Sequence, residues 1–119
     1  MHARTIAAAL TALAAVAVLS VPAFGQTFQV NVTEKNSTCA LALTTVHKPH
    51  TSIVFHMINN GTVAHGLLIW GVHSAMIPPK SAGDIMVDFH RAGTFRYACL
   101  AGTYNHPRVI KRGIFRIRA

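Results

Sequence analysis

Cysteine and histidine are the residues of this chain with the widest chemical scope. The 119-residue sequence contains two cysteines, Cys39 and Cys99, and eight histidines, but only three acidic residues. Thiolate and imidazole groups are ligands that copper and zinc favour, whereas two thiols in an oxidising compartment pair as a disulfide. The two uses exclude one another, because a sulfur in a disulfide has no thiolate to offer a metal.

The sequence carries none of the common motifs for nucleotide binding or hydrolysis. A P-loop, a GxGxxG element and a GxSxG element are all missing, so nucleotide binding and serine hydrolysis have no support. If the thiolate and imidazole groups hold one metal ion, such a site without an acid–base pair offers no substrate chemistry either. We therefore expect a protein that is not an enzyme.

Residues 1–25 predict export. A short basic start precedes the apolar run Ile6–Leu19, which is shorter than the roughly 20 apolar residues that a membrane span needs. Ala23 and Gly25 then occupy the small-residue positions of a signal-peptidase site, which disfavours the alternative of an uncleaved anchor. We expect a cleaved signal peptide, a mature chain that begins at Gln26, and a periplasmic or secreted protein without stable membrane insertion after cleavage.

The mature part, residues 26–119, is long enough for one small domain. Loss of Arg4 with the leader lowers the formal charge from +8 to +7. A basic exported domain favours acidic partners, and we expect an acidic redox or metal-delivery protein rather than nucleic acid. The plainer interpretation is a solvated surface that its charge keeps soluble.

Strand and turn patterns run through the whole mature part. Polar and apolar residues alternate in Phe28–Thr33 and at the end of the chain in Gly113–Arg118, and Thr51–Ile58 is rich in residues that favour strands. Gly66–Val72 is a short apolar run typical of a strand buried on both faces. Asn59–Gly61 is a strong turn signal, and no segment keeps helical periodicity for three turns. The pattern predicts an all-β, antiparallel Greek-key β-sandwich of about seven strands.

Several motifs of the mature part follow one another in an order that is more specific than any one of them alone. They are the turn Asn59-Asn60-Gly61 with His65 shortly after it, the loop Ile77-Pro78-Pro79, the strand Gly93-Thr94-Phe95-Arg96-Tyr97-Ala98-Cys99, then His106, and finally Gly113-Ile114-Phe115. In this combination the chain resembles the cupredoxins, the small blue-copper β-sandwich proteins, over roughly residues 28–118.

The resemblance implies a copper site and one-electron transfer. The ligands would be His65, Cys99 and His106, a His₂Cys set that holds copper in both oxidation states with little rearrangement. The spacing departs from the family, because the six residues between Cys99 and His106 are more than it usually has. Ile110 and Lys111 stand where the axial methionine is expected.

Cys39 gives Cys99 an alternative use. A Cys39–Cys99 disulfide would close a loop of about 60 residues and stabilise the fold by roughly 4 kcal/mol in the chain-entropy model. Some cupredoxin-like domains of periplasmic iron-uptake proteins are similar in having a cysteine here and in lacking the blue-copper set. The alternative function is a redox-inert module for metal handling or protein contact, stapled by this disulfide. A basic adhesion-type domain without a metal is a third interpretation.

Overall fold

A computed structural model of the chain describes residues 27–47 and 51–119, so the predicted signal peptide, 1–25, and Gln26 lie outside the described residues. Across the described part, no helix is long and apolar enough to cross a membrane. The regular elements of this part are nine strands: β1 Thr27–Lys35, β2 Thr38–Leu41, β3 Thr45–His47, β4 Thr51–Asn59, β5 His65–Ile69, β6 Val72–His73, β7 Ser81–Phe89, β8 Gly93–Gly102 and β9 Pro107–Arg118.

The nine strands form two sheets that pack as a sandwich. The four-stranded sheet has the order β2-β1-β4-β7, and the five-stranded sheet has the order β3-β9-β8-β5-β6. The prediction of an all-β sandwich is confirmed. Pairing is not antiparallel throughout, however, because β1 runs parallel to β4 and β3 runs parallel to β9.

The predicted count of about seven strands was too low. Strands β2, β3 and β6 have four, three and two residues, which is too short for an alternating pattern to be read from the sequence. The single strand predicted over Gly66–Val72 is confirmed for the largely buried stretch Gly66–Ile69, but it does not continue to Val72. Strand β5 ends at Ile69, and Trp70 and Gly71 turn the chain into β6 with φ angles of 49° and 79°.

Alternating side chains of both sheets fill the space between them. In the four-stranded sheet, Val30 lies beside Phe55 and Val32 beside Met57, and all four side chains are buried. Each large apolar side chain so buried stabilises the fold by roughly 1.5–3 kcal/mol. Four phenylalanine rings from both sheets contact one another with centroid separations of 4.8–5.7 Å: Phe55, Phe89, Phe95 and Phe115.

Aromatic rings also close one end of the sandwich. The Trp70 ring stacks on Phe89 with centroids 5.6 Å apart and meets Phe95 edge-on at 5.0 Å. The guanidinium of Arg91 lies 5.3 Å from the centroid of Phe95. The apolar core therefore reaches one end of the sandwich, and the polar interior lies at the other.

The polar interior begins where the pattern of β1 changes. Val30 and Val32 face the core, and the period of two along a strand places Glu34 on the same face. Glu34 pairs with Asn59 of β4 on one side and with Cys39 of β2 on the other. We call this region, with His65 and Cys99 of the facing sheet, the polar end.

Candidate functional site

The polar end is crossed by a disulfide between the two sheets. Cys39 of β2 and Cys99 of β8 are bonded, with their Cα atoms 6.4 Å apart. Both residues are buried, Cys99 completely. The disulfide joins a short edge strand of one sheet to a central strand of the other, so it fastens the sandwich where β2 has little pairing of its own. In this form Cys99 has no thiolate.

His65 is held by carbonyl oxygens on both sides of its ring. Nδ1 lies 3.0 Å from Oδ1 of Asn59 and 3.0 Å from the carbonyl oxygen of Val63, and Nε2 lies 2.9 Å from the carbonyl oxygen of Asn36. The side chain is completely buried. This is the arrangement of a structural histidine that fixes neighbouring loops, because neither nitrogen faces an open position for a metal.

Asn59 explains part of the motif on which the resemblance rests. Its Nδ2 amide is within hydrogen-bond distance of the carbonyls of Val63, Ile77 and Pro78, at 2.9, 2.9 and 3.1 Å. Its Oδ1 accepts a hydrogen bond from the backbone N–H of Gly61 at 2.8 Å. Asn59 therefore ties two loops of the polar end together.

Gly61 is required by close packing in the same turn. A Cβ atom at this position would lie 2.7 Å from the backbone nitrogen of Asn36 and 3.0 Å from Cε1 of His65. Real Cβ atoms essentially never approach a backbone nitrogen that closely. The Asn59–Gly61 turn and its spacing to His65 are thus accounted for by loop packing.

His106 lies apart from the buried cluster. It is exposed in the loop between β8 and β9, where its backbone N–H donates to the carbonyl oxygen and to Oγ1 of Thr103 at 3.2 and 3.1 Å. In the described part of the chain, His65, Cys99 and His106 do not converge as a set within 4.8 Å. The residues present do not fit a blue-copper centre in the disulfide form, and the His₂Cys set stays a prediction for the reduced chain.

The positions expected for an axial ligand have other roles. Ile110 packs against the hydrophobic core, and the ammonium of Lys111 donates to the carbonyl oxygen of Cys39 at 3.0 Å. Lys111 also pairs with Cys99 across β8 and β9. This lysine places a positive charge beside the backbone of Cys39 from the side of the five-stranded sheet.

Glu34 is the residue of the polar end that the sequence analysis missed. Its side chain is completely buried, with Oε2 3.7 Å from Sγ of Cys39. Among the described residues, Oε1 has no hydrogen-bond partner. Burial raises the pKa of Glu34 to about 8, so the carboxyl is mostly protonated at neutral pH. Extending the alternation of Val30 and Val32 by two residues would have placed Glu34 on the inner face.

Comparison with known proteins identifies the fold but no close relative. No protein-family model and no curated protein matches the sequence. Auracyanin B matches with a TM-score of 0.55 and 13% identity over 83% of this chain and 94% of that one. Auracyanin from Roseiflexus castenholzii matches with a TM-score of 0.52 and 12% identity over 82% of this chain and 100% of that one. The chain has a cupredoxin-like fold.

A third solved structure extends the likeness over nearly the whole chain. A chain in the structure of a heme-copper terminal oxidase dimer matches with a TM-score of 0.56 and 13% identity over 96% of this chain and 97% of that one. At such identities the likeness to these three chains concerns the fold alone. The function of this chain must therefore be argued from its own polar end and surface.

Proposed function

We propose that this chain is an exported cupredoxin-like binding module that the Cys39–Cys99 disulfide keeps redox-inert. The observation that carries the proposal is the disulfide itself, because it occupies the sulfur on which a blue-copper centre depends. The structural role of His65 points the same way, since both ring nitrogens face carbonyl oxygens. A disulfide is the expected state of paired cysteines in a periplasmic or secreted protein, and the module has no catalytic function.

Copper titration of the unreduced protein tests the redox-inert state. We expect Cu(II) to give no intense blue or green charge-transfer absorption, because such absorption needs a thiolate bound to copper. Surface histidines that bind Cu(II) would give only weak colour. Intense colour in protein that has never met a reductant would contradict the proposal.

The second candidate is the copper electron carrier with ligands His65, Cys99 and His106. Strands β5 and β8 pair, and Leu67 lies opposite Cys99, so His65 is only two residues from the position facing that cysteine. In this case the reduced chain should become intensely coloured with Cu(II). Cys99→Ser and His65→Ala should abolish the colour, while Cys39→Ser and the exposed control His47→Ala should retain it.

The outer face of the five-stranded sheet supports an acidic protein partner. Its exposed arginines lie on β8 and β9, and the register places Arg96 beside Ile114 and Arg112 beside Ala98. The acids lie elsewhere: Glu34 is buried, and the other two belong to β7 of the opposite sheet. We call this surface the arginine face; it comprises Arg96, Arg112, Arg116 and Arg118.

A groove on the arginine face gives the partner a place to bind. It has a volume of about 400 Å³, and Trp70, Arg91, Arg96 and Arg112 are among its lining residues. An indole beside three guanidinium groups suits a surface that presents carboxylates around an apolar side chain, because arginine and tryptophan are enriched where protein partners bind most tightly. We propose an acidic redox or metal-delivery protein as the occupant.

Charge reversal tests whether binding depends on the arginine face itself or only on the overall positive charge of the chain. The double variant Arg96→Glu/Arg112→Glu should bind a glutamate-rich peptide at least roughly tenfold more weakly at low salt, and binding to the unmodified chain should weaken as salt rises. The matched control Lys35→Glu/Lys80→Glu changes net charge equally at exposed positions away from this face. Equal losses in both double variants would contradict a specific face.

A further inference from the structure

Three potential metal ligands meet beside the disulfide. Donor atoms of Glu34, Cys39 and Cys99 all lie within 4.8 Å of one another, and all three residues are buried. The proposed function uses the two sulfurs only as a covalent staple and gives Glu34 no role. This cluster is distinct from the His65, Cys99 and His106 set, with which it shares one residue.

Glu34 is hard to explain as a structural residue. Its completely buried side chain leaves Oε1 without a hydrogen-bond partner among the described residues, and an unpaired buried oxygen is destabilising. Val30 and Val32 show that this face of β1 accommodates valine. A third valine would avoid the unpaired oxygen, so the carboxyl points to a ligand that the disulfide form does not bind.

We propose that reduction of the Cys39–Cys99 disulfide opens a buried binding site for a zinc-type divalent cation, with Glu34, Cys39 and Cys99 as its protein ligands. The inference rests on the proposed function, in which the disulfide form is the resting state. Thiolate and carboxylate together are a ligand set that zinc accepts. A water molecule completes the four-coordinate shell.

The distances suit such an ion. With Zn–S near 2.3 Å and Zn–O near 2.0–2.2 Å, two tetrahedral ligands lie about 3.5–3.7 Å apart. Oε2 of Glu34 is already 3.7 Å from Sγ of Cys39. After reduction the two sulfurs must separate to about 3.8 Å, which requires rotation of the Cys39 side chain on its short edge strand.

The charges favour a divalent ion. Two thiolates and one carboxylate carry three negative charges, of which a divalent cation neutralises two. The ammonium of Lys111, which donates to the carbonyl oxygen of Cys39, supplies the remaining positive charge. Cu(I) would leave the buried group with a net negative charge, and as a soft ion it has little use for the carboxylate.

A dithiol reductant supplies the electrons for opening the site. Its thiolate attacks the sulfur of Cys39, because residue Cys39 is slightly exposed and Cys99 is not. Cys99 then leaves as a thiolate. The second thiol of the reductant then resolves the mixed disulfide, so one disulfide and one dithiol exchange two electrons and two protons. The cation replaces the protons of both cysteines, and that of Glu34 where it is protonated.

Zinc titration of the full exported chain before and after reduction with a phosphine tests the proposal. A chromophoric chelator serves as competitor, and cobalt(II) replaces zinc for the spectrum. We expect one zinc per reduced chain, none bound by this site in the oxidised chain, and thiolate-to-cobalt charge transfer. Equal zinc binding before and after reduction, or none in either state, would overturn the proposal.

Variants assign the ligands. Glu34→Gln keeps the disulfide and side-chain size, so circular dichroism of its oxidised form checks its folding. It should weaken zinc binding by about tenfold or more, since even partners outside the ligand shell commonly matter by 10–100-fold. The matched control Asp84→Asn, an exposed carboxylate, should bind zinc as the unmodified chain does. Unchanged binding in Glu34→Gln, or binding retained in Cys39→Ser/Cys99→Ser, would overturn the assignment.

The outcomes separate this inference from the proposed function. A chain that carries the disulfide, develops no intense colour with Cu(II) and binds no zinc after reduction refutes the zinc site alone. A chain isolated with free thiols that turns intensely blue through His65 refutes the redox-inert module.

Discussion

At the scale of single residues, Glu34 departs furthest from what a β-sandwich core requires. A carboxyl beside a disulfide, with one oxygen unpaired among the described residues, remains in the core mainly by keeping its proton. Burial raises the pKa of Glu34 to about 8. At neutral pH the Glu34 carboxyl of the folded chain therefore holds a proton that the same group has released in the unfolded chain.

This proton makes stability depend on pH. Between pH 4.5, the ordinary pKa of the group, and about pH 8, the folded state binds more protons than the unfolded state, so the free energy of unfolding falls as pH rises. The slope from this residue is at most about 1.4 kcal/mol per pH unit and vanishes above the window. Urea unfolding of the oxidised, metal-free chain at several pH values measures it.

Glu34→Gln is the matched control for this slope. Neighbouring charged and titratable groups, Lys111 on β9 and His65 on β5, are present in both proteins, so their contributions largely cancel in the difference. We expect the difference in the free energy of unfolding to change steadily between pH 5 and pH 8 by several kcal/mol at most. Parallel pH profiles for the two proteins would show that Glu34 does not titrate as described.

Asn59 is the second residue whose loss should be costly. Asn59→Ala removes the amide that reaches three loop carbonyls and the oxygen that faces His65. Leaving buried polar groups unpaired costs about 1–3 kcal/mol each, so urea unfolding should show a loss of at least that size. Asn60→Ala, an exposed position in the same turn, should have little effect, and equal losses in the two variants would contradict the role of Asn59.

At the scale of elements, β2 is the strand whose position we expect to depend most on the disulfide. It has four residues, lies at the edge of its sheet and pairs only with β1. The bond from Cys39 to Cys99 ties this edge to β8, a central strand of the facing sheet. Reduction should therefore loosen β2 before it affects the rest of the sandwich.

Hydrogen exchange shows this element-scale effect directly. After reduction, amides of Thr38–Leu41 should exchange faster while those of β8 stay protected. Uniform acceleration in all strands would contradict a local role of the disulfide.

The double variant Cys39→Ser/Cys99→Ser tests the same bond by its stability. Its free energy of unfolding should fall by roughly 4 kcal/mol, as expected for a closed loop of about 60 residues.

The long strands could be predicted from the sequence, and the short ones could not. Alternation over β1, β7 and the end of β9 marks an inner and an outer face without any knowledge of partners. Strands such as β6, with two residues, form only because longer neighbours offer unpaired backbone groups. The turn at Trp70 could not be predicted, because this residue lies within an apolar run. Its position depends on the stacking of its ring on Phe89 across the sandwich, which is a contact between residues distant in sequence.

The candidate site was predictable only in part, for a related reason. Sequence order singled out His65, Cys99 and His106, although His106 lies apart from the buried cluster. It left the use of Cys99 open between copper and Cys39. Whether Cys99 bonds to Cys39 depends on the distance between two strands in different sheets, and no local sequence pattern encodes that distance. Glu34 escaped notice because a charged residue next to Lys35 and Asn36 has the pattern of a solvated turn.

At the scale of the whole molecule, the surface is distinguished by its charge and the interior by its redox state. The arginine face presents positive charge on one sheet, and the exposed acids lie on strand β7 of the other. Inside, the polar end is closed by a disulfide where the resemblance to cupredoxins implies a copper ligand. The proposed module binds through its surface while its interior stays inert until it is reduced.

The thiol state of the isolated protein tests this account most directly. The measurement is an intact mass of protein isolated without reductant and treated with an alkylating reagent under denaturing conditions. The account predicts a chain without alkyl groups that is two hydrogens lighter than the dithiol, with its mature start at or near Gln26. Two alkylated cysteines in freshly isolated protein would contradict it, because Cys99 would then be free to serve as a copper ligand.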